Sequence, residues 1–160
     1  MNLFLWGALP YIAFTFLIVG TLVRFFYFER NWTTKSSEFL EKKQLRIANP
    51  LFHFGLLCVI GGHVVGVLIP KTWTAAIGIN DHMYHEGALY MGAVAGIIFI
   101  VGFLLLMKRR FTVPAMKVNT SGLDKWLYLF LTLAIFSGMA GTLLNASGFF
   151  DYRVSIGPWF

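Results

Sequence analysis

The stretch IANPLFHFGLLCVIGGHVVGVLIP, Ile47 to Pro70, decides how the chain folds. It runs 24 residues without Asp, Glu, Lys or Arg. At about 1.5 Å of rise per residue, a helix of that length crosses the roughly 30 Å of a bilayer's hydrocarbon. Three further stretches are equally free of charge: Met1 to Val23, Gly87 to Met107 and Trp126 to Phe150. None alternates polar and apolar residues as a barrel strand does, so helices are the way for each to satisfy its backbone in lipid. The chain therefore reads as an all-α integral membrane helical bundle with four transmembrane helices in a single membrane domain, 1–160. The spans fall near 3–26, 47–70, 86–107 and 124–147.

Composition agrees. Of 160 residues, 58% are apolar and 12% charged, against about 25% charged in a soluble domain. Mean hydropathy is +0.70. The 17 Phe, five Trp and six Tyr are more apolar surface than a soluble fold of this length can bury. One Cys excludes a disulfide framework and a CxxC-type zinc or iron–sulfur site. The net charge of +6 suggests nucleic acid until the charges are placed along the chain. They gather in two loops, near 29–46 and 108–122, so no nucleic-acid partner is expected.

Those loops set direction. Arg30, Lys35, Lys42, Lys43 and Arg46 follow the first span, and Lys108, Arg109, Arg110, Lys117 and Lys125 follow the third. Between the second and third spans stands Lys71 alone. The positive-inside rule puts both basic loops in the cytoplasm and the N-terminus outside. Membrane lipid is then a partner of the whole chain. The first span has no basic leader and ends at Arg24 among aromatics, so it is not a cleavable signal peptide. In the first loop, Ser36 or Ser37 is placed to cap a short helix on the membrane surface. The same segment equally suits docking of a soluble partner.

Span 2 carries His53 and His63 inside an otherwise uncharged run. Ionisable groups at membrane depth are costly and mark a functional site by default. The two lie almost symmetrically about the span's midpoint, about 15 Å apart along the axis. Gly55, Gly61, Gly62 and Gly66 flank them, and such glycines let a flat group approach the backbone. Imidazole is an axial ligand of haem iron. Two histidines at two depths can therefore hold two haems, roughly 80° apart around the helix. A bis-histidine haem needs a second ligand, and spans 1, 3 and 4 contain no His. Either the irons are five-coordinate, or other chains supply ligands, or the sequence stops before the helix that carries them. The rival reading is a cofactor-free scaffold or transporter-like bundle with the two histidines as a proton relay. The intervening FGLLCVIGG offers such a relay no polar side chain.

The run Asn49 to Pro70 resembles the second helix of the gamma subunit of respiratory nitrate reductase, a dihaem cytochrome b membrane anchor. The likeness extends through Tyr11, Phe16, Gly20, Arg24 and the Ser36–Ser37 loop. It continues through Gly92, Gly96 and Gly102, the LLLMKRR exit at Leu104 to Arg110 and the TSGLD entry at Thr120 to Asp124. The resemblance implies five helices with the N-terminus outside, a fifth helix with two more histidines beyond Phe160, and so an incomplete chain here. It implies two haem b, the cytoplasm-side one on His53 and the outer one on His63. Quinol, menaquinol or a relative, would be oxidised near Gly62, His63, His85 and Glu86. Electrons would pass through the haems to an iron–sulfur beta subunit, then to a molybdenum alpha subunit that reduces nitrate. The setting implied is anaerobic respiration in a bacterial or archaeal cell membrane.

At the outer edge, His82, His85 and Glu86 have two further readings, a zinc site and a solvated helix start capped by Asn80 or Asp81. Gly92 and Gly96, with Gly138 and Gly141, suit close helix contact or clearance for a porphyrin edge. Arg109 and Arg110 suit either haem propionates or anchoring of the helix end.

Overall fold

The structure, a computed structural model, describes residues 3–27, 37–69 and 71–148. Two compact units divide the chain, and among the described residues one holds the first helix and the other everything from Ser37 onward. In the first unit, wide π-type turns over Leu3–Ala8 lead into α1, Leu9–Tyr27. No residue of α1 is buried, and Phe16, Phe26 and Tyr27 stand at least 70% exposed. Thr15 meets its own helix, its hydroxyl donating to the Tyr11 carbonyl at 2.8 Å. An apolar cylinder whose Thr15 hydroxyl is satisfied within the helix suits lipid.

The second unit contains α2 (Lys43–Leu68), α3 (Lys71–Ala76), α4 (Asp81–Thr112), α5 (Pro114–Val118) and α6 (Gly122–Ala146). Counting Leu3–Tyr27, four helices among the described residues are long and apolar enough to cross a membrane. The fold class is thus all-α with four candidate spans. The helix ends follow local chemistry. Asn80 caps α4, its side chain accepting from the Met83 N–H at 2.8 Å. Ser121 and Asp124 form a reciprocal capping box at the start of α6. Pro114 at the first turn of α5 needs no N–H there.

The best-packed pair is α2 on α4. A methyl group added at Gly55 would overlap the Phe99 backbone, and one at Gly102 would overlap the Phe52 backbone. These two glycines bring the helices into backbone contact, the device by which membrane helices associate. Phe52 fills the seam beside them, 5.1 Å from the Phe99 ring and 6.5 Å from Phe103. Gly102→Leu is expected to force the pair apart, at about 1–3 kcal/mol by the usual cost of overpacking. Its thermal unfolding midpoint in detergent should fall clearly, and an unchanged midpoint would show that the seam is absent.

Against α6, α4 places Gly96 beneath the Met139 sulfur and Phe111 edge-on to Tyr128 at 6.3 Å. Of the two glycines one turn apart on α4, Gly96 makes this contact while a methyl at Gly92 would meet open space.

Candidate functional site

The contacts of Gly55 with Phe99 and Gly102 with Phe52 fix α2 and α4 as antiparallel and set their register. His53 stands level with Val101, and His63 level with Met91. At about 100° per residue, His63 is roughly 55° and His53 roughly 135° round from the α4-facing side of α2, in the same sense. On α4, the residues meeting α6 are displaced from those meeting α2 in the matching sense for an antiparallel pair. The two histidines and α6 therefore lie on one side of the α2–α4 pair. This makes a groove with α2 and α6 as walls. Its floor is the α4 row at seven- and eleven-residue spacing: His85, Gly92, Phe103 and Arg110.

Each histidine is held the same way. His53 Nδ1 lies 2.9 Å from the Asn49 carbonyl oxygen, and His63 Nδ1 lies 2.7 Å from that of Val59. A carbonyl only accepts, so in both rings Nδ1 carries the proton and donates. In a neutral imidazole that leaves the Nε2 lone pair free, pointing away from the helix. The ring edge of Phe52 meets His53 at 5.2 Å and steadies it. A backbone carbonyl on the second ring nitrogen is how proteins fix the tautomer and orientation of metal-binding histidines. Between the two on this flank stand Leu56 and Ile60, which carry no proton.

The expected outer residues separate. His85 is half-buried on the groove floor. Glu86 turns away and pairs with His82, Nδ1 to Oε2, at 3.7 Å in the open. Gly62 is exposed with open space around it, one residue from His63 but about 100° round the helix. Among the described residues, no three His, Cys, Asp or Glu gather as a metal-binding group.

The two arginines also divide. Arg109 is 3% exposed, on the opposite flank of α4 from the groove. Its Nε donates to Glu41 Oε2 at 2.8 Å, Nη1 to Ser37 Oγ at 3.0 Å, and Nη2 to the Ser37 and Glu41 carbonyls at 2.7 Å each. Four of its five N–H donors pin the segment before α2. The expected capped helix at Ser37 is instead a turn, with the Leu40 N–H donating to the Ser37 carbonyl at 3.1 Å. Ser36 lies outside the described residues. The tie overrides the helical preference because an arginine buried this deeply must find acceptors. Arg110, on the groove floor, donates from Nη2 to Asp124 Oδ2 at 2.7 Å and lies 5.9 Å from the centre of the Tyr128 ring. Its Nε is buried with no partner among the described residues.

Sequence reading singles out no polar residue of α6 beyond its first turn, and the structure supplies one. Asn145 is 7% exposed, and its Oδ1 has no partner among the described residues. The available signal was its chemistry: it is the one amide side chain in the charge-free run Trp126 to Phe150.

Comparison with known proteins bears on this arrangement. The family described as nitrate reductase gamma subunit matches residues 2–160. The nitrate reductase gamma chain of Bacillus subtilis is 46% identical over 157 residues, which cover 98% of this chain and 70% of that one. A nitrate reductase-like protein of Mycobacterium tuberculosis is 40% identical over 97% of this chain and 24% of its own. The respiratory nitrate reductase 1 gamma chain of Escherichia coli is 31% identical over 89% of this chain and 62% of its own length.

Proposed function

Because the chain belongs to the nitrate reductase gamma subunit family, we propose that it is the haem b membrane subunit of a quinol-oxidising respiratory nitrate reductase. The observation that carries this reading is the paired His53 and His63 geometry, with Nδ1 of each bound to its own helix and Nε2 without a partner among the described residues.

The residues fit two haems b at these positions. Each histidine offers one axial nitrogen at its own depth. Gly92 leaves space on the floor at the level of His63, and Gly138 leaves space on the α6 wall. At the inner end Arg110 Nε has no partner among the described residues, and it would be the donor for a haem propionate. Arg109 lies on the opposite flank of α4 and uses four donors on the Ser37–Glu41 segment. When bound, the haems supply the one-electron chemistry that no side chain of this chain can provide.

The chain's own residues supply position and proton handling. His53 and His63 hold their rings fixed, so ligation costs little reorganisation. Phe52, Phe99 and Phe103 keep water from the inner half of the groove. Quinol would bind at the outer end near His63 and Gly62, with His85 on the floor as the nearer proton acceptor and Glu86 outside it, passing protons to the external face. Electrons would leave on the cytoplasmic side, where the basic loops meet an iron–sulfur subunit and, beyond it, a molybdenum subunit that reduces nitrate. The N-terminus would then be external.

The test is coupled activity. The complex containing this chain and its partner subunits should oxidise menadiol while reducing nitrate, and should lose menadiol oxidation when this chain is left out. Equal menadiol-driven nitrate reduction without the chain would refute the assignment.

A further inference from the structure

We infer that Asn145 is a quinol-binding residue, its Oδ1 accepting a hydrogen bond from a quinol hydroxyl at the depth of His63; this rests on the function proposed above. The contact of Met139 with Gly96 sets the register of α6 against α4. Asn145 lies six residues outward from Met139, level with Tyr90, and His63 lies level with Met91. The two side chains therefore share one depth within about a helical turn. Direction agrees with depth. Taking Tyr128 and Met139 as the α4-facing side of α6, Asn145 is roughly 110° round from it, on the flank turned toward the histidine side of α2. It thus stands on the wall of the groove opposite His63.

The chemistry of the atom selects the ligand. A carbonyl oxygen accepts and never donates, so the partner of this atom must bring an O–H or N–H, and a carboxylate does not pair with it. Buried polar atoms in native proteins are nearly all hydrogen-bonded, so an unpaired one calls for a partner. On α6 the same flank carries Gly138, Gly141 and Thr142, and on α4 Leu89 and Ala93 stand at its level. An amphipathic ring carrying a hydroxyl matches both, the ring in the open space over Gly138 and Gly141 and the O–H on Oδ1. Asn145 holds the hydroxyl in place and takes no proton, which leaves proton acceptance to His85.

The experiment uses the whole complex in membranes with menadiol as the probe. In Asn145→Leu the KM for menadiol should rise about fivefold to tenfold, the worth of one neutral hydrogen bond, with haem absorption after dithionite at wild-type intensity. Asn145→Ala also lacks the acceptor and stands in should leucine disturb the fold. Asn145→Gln keeps the carbonyl and should hold KM within about threefold of wild type. An unchanged KM in the leucine or alanine variant would overturn the inference and leave the proposed function standing. Loss of haem absorption in both truncating variants would overturn it too, since Asn145 would then be a packing residue. A wild-type complex without haem absorption would bring down the functional reading and this inference with it.

Discussion

His63→Leu should remove about half of the haem absorption of the assembled complex and lower menadiol-driven nitrate reduction by at least about 100-fold. The estimate starts from ligand geometry. Disturbing the groups that orient a metal-binding histidine typically costs 10- to 100-fold in affinity or activity, and removing the ligand itself costs at least the upper figure. Leucine fills a similar volume on a lipid-compatible helix and leaves the Val59 carbonyl bonded within α2, so the helix itself should survive. His53→Leu should remove the other half of the absorption, because its ring is held independently by Asn49 and Phe52. The histidines lie about 15 Å apart, too far for either to support the other's ligand. Loss of all absorption in both single variants would contradict one ligand per leaflet.

Arg109→Leu is the second large effect. It should release the segment from Ser37 to Glu41, destabilising the second unit by roughly 2–3 kcal/mol. The guanidinium makes four hydrogen bonds at 2.7 to 3.0 Å, and its loss strands two part-buried carbonyls together with the Glu41 carboxylate. Limited proteolysis should cut the variant near Phe39, which is already 96% exposed, faster than the wild type. Unchanged cleavage would show that the tie holds nothing. The same contact carries a pH dependence. The Gln44 backbone N–H on Glu41 Oε1, together with Arg109, holds the Glu41 carboxyl below its ordinary 4.5. A carboxyl lowered on folding stabilises the fold above its unfolded pKa, and that contribution is lost as the pH falls through the folded value. Cleavage near Phe39 should therefore be flat above pH 5 and rise as acid is taken below about 4.5. Glu41→Gln should abolish that rise.

The four spans were legible because charge is excluded from lipid, so the gaps between charges trace the helices directly. Both histidines were legible for the same reason: a titratable ring in a charge-free run stands out. Their shared side of the α2–α4 pair was not legible. It depends on which flank of α2 meets α4, and that was settled by backbone contact at Gly55 and Gly102 rather than by any periodicity, since apolar residues surround the helix on all sides. The fate of Arg109 was hidden in another way. Its acceptors lie 68 and 72 positions earlier in a loop whose composition suggests a helix. Sequence treated Arg109 and Arg110 as one basic pair, while the structure turns them to opposite flanks of α4. His85 and Glu86 likewise read as one cluster, and helical rotation sends one onto the groove floor and the other outward. Asn145 went unremarked because a single amide in a long apolar run carries no pattern.

The most direct measurement is the haem content of the purified complex, counted per copy of this chain in the wild type and in the double variant His53→Leu/His63→Leu. The account predicts two haems b per chain in the wild type and none in the double variant. Haem at wild-type content in the double variant would contradict it, as would a wild-type complex with none.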